Sequence, residues 1–246
     1  MEAEKLEIKI GCCGFAKGMK DYHRKFQLVE VQHTFYQPPK LETIKKWRDY
    51  APEDFEFTLK AWQLITHTPK SPTYRRAKIK IEKAKEDKYG SFKPTKEVFD
   101  AWEETLRICR VLKAKVVVFQ CPASFKPIKE NIANMKAFFS SIDRSGLKIT
   151  WEPRGRWQAE IIMDLCRDLE LIHCVDPFKD EPLTEKTAYF RLHGSPPGKK
   201  MYNYRYTKKD LKALKGKISG FEEVYCMFNN MFMHENALEF IKMIKD

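Results

Sequence analysis

The sequence predicts a single (β/α)8 barrel, the fold in which eight parallel strands alternate with helices. Three observations lead to this prediction. Eight short runs have the composition of strands, most of them are followed by a segment with helical spacing, and several are almost continuously apolar. Continuous apolar character is typical of parallel strands that are buried on both faces. Eight strand–helix units in 246 residues also match the usual size of such a barrel.

The predicted elements follow one another along the whole chain. The strand-like runs cover residues 8–14, 28–36, 55–62, 116–122, 148–154, 172–177, 188–194 and 223–230. Helical spacing is clearest over residues 41–51, 98–114, 128–142, 159–171 and 234–245. An open doubly wound sheet is the competing architecture, but GCCGFAKG (11–18) stands where such a sheet carries its glycine-rich nucleotide-binding turn. Residues 1–246 are therefore predicted to form one domain.

The composition is that of a folded protein without a membrane segment. Hydrophobic residues make up 43% of the chain and aromatic residues 13%, which is enough to build a core. No apolar run reaches the roughly 18 residues that a spanning helix needs. The segment MEAEKLEIKIG at the start lacks the apolar centre of a signal peptide, so we expect a cytoplasmic protein. The seven cysteines include no CxxC pair, and we expect most of them to be small buried hydrophobes.

Positive charge is concentrated in two long connections. The formal net charge is +12, and residues 70–96 hold ten Lys or Arg against three Asp or Glu, while residues 197–217 hold eight against one. Both segments follow predicted strands, the third and the seventh, so in a barrel both would flank the carboxyl-terminal mouth where barrel enzymes place their active sites. This arrangement favours an anionic small molecule or nucleic acid as the partner. A lysine-rich solvated surface is the alternative.

Aromatic residues and a glycine-containing turn accompany these cations. Stacking side chains among cations suit single-stranded nucleic acid, whereas tyrosines that pack down as a lid are the alternative. In HGSPPGKK (193–200), backbone N–H groups and Lys199 could hold a phosphate, and a simple Pro/Gly turn is the alternative. The interleaved tyrosines are Tyr74, Tyr89, Tyr202, Tyr204 and Tyr206.

The second strand-like run carries polar residues where a core strand should be apolar. Because strand side chains alternate, Glu30, Gln32, Thr34 and Tyr36 are predicted to share one face. In a barrel that face would point inward, with Tyr36 at the rim. A polar interior of this kind predicts a ligand site, with a purely structural network as the alternative.

Other predicted strands also end in polar residues. Alternation places Glu152 with Arg154, and Arg191 with His193, on shared faces. The predicted catalytic residues are Glu30, Glu152, Asp176 and His193. The predicted substrate-binding residues are Tyr36, Lys60, Gln120, Arg154, Arg191, Asn229 and Lys199.

The charges of this set balance, with three acids against three bases. Buried charges must be paired, because desolvating a single one costs several kcal/mol. No metal or other cofactor is therefore predicted. The alternative is a divalent metal with mixed nitrogen and oxygen ligands, although no HxH, HExxH or ExxH spacing supports it. The residues that could supply those ligands are His67, Glu152, Asp176 and His193.

Eight segments, in order along nearly the whole chain, resemble one known family. They are IGCCGF (10–15), VEVQHTFYQPP (29–39), WRDYAPEDFEFTLKAWQLITH (47–67), VFQCP (118–122), WEPR (151–154), DP (176–177), YFRLHG (189–194) and MFNN (227–230). The chain resembles the domain of unknown function 72 family, and the resemblance implies a TIM barrel. At the level of fold it is loosely similar to metal-dependent barrels of the sugar isomerase and apurinic endonuclease group, which carries no mechanism over. The chain departs from the family pattern at Cys12 and Cys13. It also has WEPR (151–154) where the family more often has a plain E-x-R, but Glu152 and Arg154 are both present.

These patterns predict an enzyme that acts on a phosphate-bearing or nucleic-acid substrate at the carboxyl-terminal barrel mouth, with a hydrolase or another phosphoester-processing enzyme as the class considered. Arg154 and Arg191 would clamp an anion, Glu152 or Glu30 would act as the base, and His193 would act as the acid. Two alternatives stay open: a nucleic-acid-binding module without catalysis, and a metal-dependent sugar-phosphate isomerase or lyase. The sequence does not indicate an oligomeric state.

Overall fold

A computed structural model describes residues 6–77, 79–195 and 200–245. Eight parallel strands close into a barrel in chain order with helices between them, which confirms the predicted fold class. The strands are β1 (Glu7–Cys12), β2 (Leu28–Val31), β3 (Glu56–Lys60), β4 (Val116–Gln120), β5 (Lys148–Glu152), β6 (Ile172–Val175), β7 (Thr187–Leu192) and β8 (Glu223–Phe228). The helices are α1 (Met19–Lys25), α2 (His33–Tyr36), α3 (Leu41–Tyr50), α4 (Gln63–Thr66), α5 (Lys96–Leu112), α6 (Lys129–Ser141), α7 (Ala159–Asp168), α8 (Lys208–Lys217) and α9 (Met233–Lys245). Short 3₁₀ turns are Pro72–Arg76, Lys83–Lys88 and Met201–Asn203.

The chain groups into two compact units, which are described separately. The first unit takes residues 1–30, 52–56 and 172–246, and the second unit takes residues 31–51 and 57–171. The single-domain prediction is not tested by this grouping. No helix in the described part of the chain is both long enough and apolar enough to cross a bilayer.

In the first unit, β6, β7, β8 and β1 pair side by side. Arg191 on β7 is level with Met227 on β8, which is level with Gly11 on β1, so these residues share one face. The opposite face packs on helices, as Phe228 does against Phe240 of α9 with ring centroids 6.1 Å apart. The face that carries Arg191 therefore points away from the helices and into the barrel.

In the second unit, β3, β4 and β5 pair in the same way. Lys60 on β3 is level with Val118 on β4, and Gln120 on β4 is level with Glu152 on β5. Because side chains alternate along a strand, Lys60, Gln120 and Glu152 share one face. The other face of β4 carries Phe119, which is fully buried among aromatic residues of the helices. The polar face therefore looks inward here as well.

The predicted second strand is wrong beyond Val31. β2 ends there, and Gln32 has helical backbone angles, φ −88° and ψ −26°, that begin the α2 turn. The hydroxyl of Thr34 donates to the carbonyl oxygen of Val31 at 3.1 Å and to the last carbonyl of β3 at 2.7 Å. These bonds satisfy backbone oxygens that strand pairing would otherwise use. Strand alternation stops at β2, so the predicted stripe that joined Glu30 to Tyr36 does not form.

The other seven strands each end two residues earlier than predicted. Consequently Arg154, Asp176, His193 and Asn229 lie just beyond the strands instead of inside them. Proline explains part of this shortening, because Pro153 has no N–H with which to continue the pairing of β5. The polar residues still follow the carboxyl ends of the strands, as predicted.

The long connection between β3 and α5 is fixed to α4. The N–H groups of Gly90, Ser91 and Phe92 donate to three carbonyl oxygens of α4 at 2.8, 3.2 and 2.9 Å. Gly90 has φ +78°, and a Cβ atom there would lie 2.5 Å from the carbonyl carbon of His67, so only glycine fits. Phe92 is fully buried. This basic connection is thus anchored by backbone bonds and by an aromatic side chain.

Candidate active site

The first unit holds a buried ion pair across its polar face. Arg191 donates to both oxygens of Glu30, from Nη2 to Oε1 at 2.9 Å and from Nε to Oε2 at 3.2 Å. The two side chains are 1% and 0% exposed, so neither is solvated by bulk water. Tyr189 donates its hydroxyl to Oε2 at 2.8 Å, and the thiol of Cys13 lies 3.4 Å from Oε1. The catalytic role of Glu30 stays a prediction, and these contacts favour a structural role.

Cys13 belongs to this buried cluster as a neutral thiol. Burial raises its pKa well above the usual value, and the charge of Glu30 raises it further. Burial likewise raises the pKa of Cys12 to about 12. Thiols held protonated are poor nucleophiles. The cysteines in the described residues are buried, as the sequence predicts.

Asp176 and His193 form a second pair in the first unit. Oδ2 of Asp176 lies 3.2 Å from Nδ1 of His193 and also accepts its backbone N–H at 3.0 Å. The residues are 7% and 3% exposed. An imidazole that donates from Nδ1 to a carboxylate carries its lone pair on Nε2, so it is oriented to accept a proton there. This geometry fits the proton-transfer role predicted for His193.

A buried hydrogen-bond network holds the chain that follows His193. Gly194 donates its N–H to the hydroxyl of Tyr206 at 2.8 Å. Asn236 accepts the N–H of Tyr206 at 3.1 Å and returns a bond to its carbonyl oxygen at 3.0 Å. Asn230 donates to the same Asn236 oxygen at 2.9 Å. His193 is thereby held by Asp176 at its own backbone and ring, and by the bond of Gly194 to Tyr206 at the residue that follows it.

In the second unit, Lys60 is a buried cation at the carboxyl end of β3. Its residue is 5% exposed, and Nζ donates to Oε1 of Gln120 at 2.7 Å. Nζ also lies 3.6 Å from the ring centroid of Phe35, within the range of a cation–π contact. Lys60 and Gln120, two of the predicted substrate-binding residues, therefore meet, and the ring of Phe35 adds a cation–π contact to Lys60.

Glu152 and Arg154 pair at the end of β5, as their spacing of two predicts. Nε of Arg154 donates to Oε1 of Glu152 at 2.8 Å. The carboxylate is buried, with 7% of its side chain exposed, whereas the arginine side chain is 32% exposed. The carboxylate fixes the orientation of a guanidinium that reaches solvent, which is a geometry suited to bidentate anion binding.

His67 lies beside these charges and is a neutral imidazole. It is 2% exposed, and its Nδ1 lies 2.8 Å from the hydroxyl of Thr66. Burial lowers its pKa to about 3, with further lowering by the charges of Lys60 and Arg154. Its backbone carbonyl accepts the hydroxyl of Tyr74 at 2.8 Å. His67 can therefore offer a neutral hydrogen bond next to two cations.

The buried state of His67 predicts an acid-sensitive protein. Its folded pKa of about 3 lies below the ordinary histidine value, so the unfolded chain binds the additional proton and stability is lost as pH falls below about 6.5. From this residue alone we expect about 2–3 kcal/mol of unfolding free energy to be lost between about pH 7 and 4.5. Urea denaturation at the two pH values measures the loss.

The matched variants for this prediction are His67→Gln and His33→Gln. His67→Gln should flatten the pH dependence, because glutamine does not titrate, whereas replacement of the exposed His33 should leave it as in the native chain. Equal slopes for native protein and the His67 variant would contradict the assignment.

Tyr36 and Arg76 stack at the edge of the second unit. The guanidinium carbon of Arg76 lies 5.6 Å from the ring centroid of Tyr36, and Nη1 donates to its hydroxyl at 3.3 Å. Gln63 donates to the backbone oxygen of Tyr36 at 3.2 Å and so fixes the α2 turn. Tyr36 thus belongs with the basic connection after β3.

A separate polar cluster lies at the amino-terminal strand ends of the first unit. Lys9 donates to Glu56 at 2.9 Å and to Glu223 at 3.0 Å, and Tyr225 donates to Glu56 at 2.7 Å. Burial opposes the charge on Lys9, but the two carboxylates outweigh it and raise its pKa. A cavity of about 600 Å³ adjoins Lys9 and Glu56. In barrels this end generally serves stability, so we assign the cluster no catalytic part.

The structure brings the predicted site residues together as pairs within each unit. Asn229 contributes a backbone bond, from its N–H to the carbonyl oxygen of Leu192 at 2.9 Å. Lys199 lies outside the described residues. The sequence predicts His67 only as a metal ligand, and strand alternation does not predict its place beside Lys60, because His67 follows the helical turn α4. The site neighbours that no sequence pattern predicts are Phe35, Arg76 and Tyr189.

Within the described residues, no group of three His, Cys, Asp or Glu side chains is arranged to hold a metal ion. The expectation that no cofactor is needed stays a prediction. His67 and Glu152 lie in the second unit and Asp176 and His193 in the first, each with the partners given above.

Fold and site together define a (β/α)8 barrel whose interior carries paired charges. The family model described as protein of unknown function DUF72 matches residues 13–246, and the chain belongs to this family. The UPF0759 protein YunF of Bacillus subtilis (strain 168) is 23% identical over 244 residues, which cover 87% of this chain and 80% of that protein. Solved DUF72 family proteins share the fold: one from Enterococcus faecalis V583 has TM-score 0.76, 20% identity and coverage of 99% and 100% of the two chains. Another, from Thermotoga maritima MSB8, has TM-score 0.74, 23% identity and coverage of 98% and 100%.

Proposed function

We propose that this protein is an enzyme that acts on a phosphate-bearing substrate, which it binds where β3, β4 and β5 end. The observation that carries the proposal is the juxtaposition of Lys60 and Arg154 with one carboxylate, Glu152, and one neutral imidazole, His67. Two cations against one acid give this strand-end cluster a positive formal charge. A phosphate group would complement it in charge and in hydrogen-bonding capacity.

Each side chain of the second-unit cluster has a role that its geometry supports. Arg154, oriented by Glu152, offers a planar fork to two phosphate oxygens. Lys60, held by Gln120 and by the ring of Phe35, supplies a point charge in a desolvated place. Electrostatic interactions are stronger in such surroundings than in water, so charge developing on the phosphate is stabilised.

We propose separately that the Asp176–His193 pair of the first unit serves in proton transfer, with Asp176 as the positioning residue. The carboxylate of Asp176 fixes the tautomer of His193, so that Nε2 can take or deliver a proton. Glu152 is the second candidate base, although its bond to Arg154 favours a role in substrate binding. The role assignments are independent of one another and can be tested one at a time.

Hydrolysis of bis(p-nitrophenyl) phosphate and of p-nitrophenyl phosphate tests the proposal and distinguishes diesters from monoesters. We expect Lys60→Met to lower kcat for the accepted ester by about 10²–10³-fold, because one preorganised charge at the reacting phosphate is lost. Lys40→Met is the matched control, since Lys40 is an exposed lysine in the same unit. Equal activity of the two variants would contradict the assignment of Lys60.

The binding-module alternative is favoured by a specific observation, the anchored basic connection after β3. It predicts retention of nucleic acid without turnover of either ester or of an oligonucleotide. Wild-type protein that binds an oligonucleotide but releases no product from any of the three substrates would overturn the enzymatic proposal and support this alternative.

A further inference from the structure

The connection between β3 and α5 presents a cationic surface within the second unit. We define the cationic surface as the exposed Lys and Arg side chains of this connection together with the ring of Tyr36, over which Arg76 lies. The exposed cations are Lys70, Arg75, Arg76, Lys80, Lys83, Lys85 and Lys88. Lys85 pairs with Glu82 at 3.3 Å, but the cations of this anchored segment outnumber its acidic residues, so the surface attracts an anionic partner.

Hydrogen bonds hold this surface in a defined shape. Tyr74 bonds to the carbonyl oxygen of His67 at 2.8 Å, which fixes the turn that carries Arg75 and Arg76. The hydroxyl of Thr95 donates to the carbonyl oxygen of Lys88 at 2.6 Å. Because the backbone is anchored at both ends, the cations are displayed on a frame and do not lie along a free tether.

His67 connects the cationic surface to the proposed phosphate site. Its backbone oxygen binds Tyr74 of the connection, while the charges of Lys60 and Arg154 act on its imidazole. An extended anionic chain lying on the surface would therefore lead toward the strand ends where those two cations stand.

The stacked pair at the edge indicates the kind of polyanion. The guanidinium carbon of Arg76 lies over the ring of Tyr36 at 5.6 Å from its centroid, and we call this partly exposed pair the platform. Unpaired bases stack on aromatic and guanidinium planes, whereas the bases of a duplex are already stacked inside it. Acidic polypeptides carry the charge but have no bases for the platform.

We infer that the cationic surface binds single-stranded nucleic acid, with its phosphodiester backbone on the lysines and a base on the Tyr36–Arg76 platform. This inference rests on the proposed function for the site to which the strand leads. It narrows the phosphate-bearing substrate to a phosphodiester of a single strand. Binding itself depends on the cationic surface and can be measured without turnover.

Fluorescence anisotropy with fluorescein-labelled dodecathymidylate, titrated with the full chain at several NaCl concentrations, tests the inference. We expect binding whose log–log salt slope is about −0.7 for each phosphate neutralised. The variant Lys83→Ala/Lys85→Ala/Lys88→Ala should make the slope shallower by about 2. The matched control Lys208→Ala/Lys209→Ala/Lys212→Ala removes the same charge from exposed positions of α8 in the first unit and should leave the slope unchanged.

The platform is tested by Tyr36→Leu/Arg76→Lys, which keeps the charge and removes the stacking planes. We expect affinity for the oligonucleotide to fall about tenfold or more, since stacking of one base is lost. Retained affinity would overturn the platform. Undetectable binding, equal effects of the two lysine triple variants, or binding of a matched duplex or of polyglutamate as tight as that of the single strand would overturn the inference.

The two proposals fail in distinguishable ways. The lysine triple variant should hydrolyse the small nitrophenyl ester as the wild type does, because those lysines do not contact the strand-end cluster in the proposal. Oligonucleotide binding without hydrolysis of any ester overturns the proposed function and leaves the cationic surface standing. Ester hydrolysis without oligonucleotide binding overturns the inference and leaves the proposed function standing.

Discussion

Replacing Arg191 with methionine is expected to lower the free energy of unfolding by about 3–5 kcal/mol, because the carboxylate of Glu30 would be left without its buried counter-ion. Glu30 is fully buried, and Arg191 binds both of its oxygens. The hydroxyl of Tyr189 would remain, but it carries no charge to offset the carboxylate. Urea denaturation at neutral pH measures the difference.

The double variant Glu30→Gln/Arg191→Met is the control for this ion pair. Glutamine keeps the shape of Glu30 without its charge, so the double variant should be clearly more stable than the single Arg191 variant. A single variant within about 1 kcal/mol of the native protein would contradict this account, since breaking a buried pair costs more than that. The substrate-binding role of Arg191 stays a prediction, and this measurement of stability needs no substrate.

Replacing His193 with asparagine tests the proton-transfer role proposed for the first unit, for which we expect kcat to fall by about 10²–10⁴-fold, the usual contribution of a positioned acid or base. Asparagine can still accept a bond at its oxygen and donate one from its amide, but it does not titrate. The hydrogen bond that the backbone N–H of residue 193 donates to Asp176 can persist in this variant. The rate of ester hydrolysis is measured across about pH 5–9, a range that includes the ordinary pKa of histidine. We expect the variant to lose the part of the pH–rate profile that depends on the protonation of His193.

Asp176→Asn is the companion variant, and it separates positioning from folding. An amide in place of the carboxylate weakens the selection of the His193 tautomer, so we expect the rate to fall and the pH profile to shift while cooperative unfolding is kept. Exposed His33→Asn serves as the matched histidine replacement. A His193 variant with the rate and pH profile of the native protein would show that the Asp176–His193 pair is structural.

Local sequence is sufficient for part of the site. Glu152 is the last residue of an apolar strand and Arg154 follows two residues later, so strand alternation predicts the same side for both, although β5 itself ends at Glu152. Their 2.8 Å contact agrees with that expectation. Eight strand-like runs likewise predict the barrel, because parallel strands buried on both faces leave a continuous apolar pattern.

Local reasoning fails where backbone conformation changes within a few residues. Gln32 turns into a helical conformation after β2, so Tyr36 moves to the edge with Arg76 and away from the face of Glu30. The alternation of polar and apolar residues does not predict this change of conformation. It depends on contacts of the Thr34 hydroxyl with backbone carbonyl oxygens at the ends of β2 and β3, which cannot be read from the sequence.

The chain alone determines the barrel, the polar residues that follow its strands and the two concentrations of positive charge, because each depends on composition and on the period of a strand. Tertiary structure decides the partners. Arg191 binds Glu30 across 161 positions of sequence, and Asp176 meets His193 across 17. Charge balance predicts that buried charges must pair, but not which groups form each pair. The desolvation cost of a charge is offset only by a partner within about 3–4 Å, and only the folded chain sets those distances.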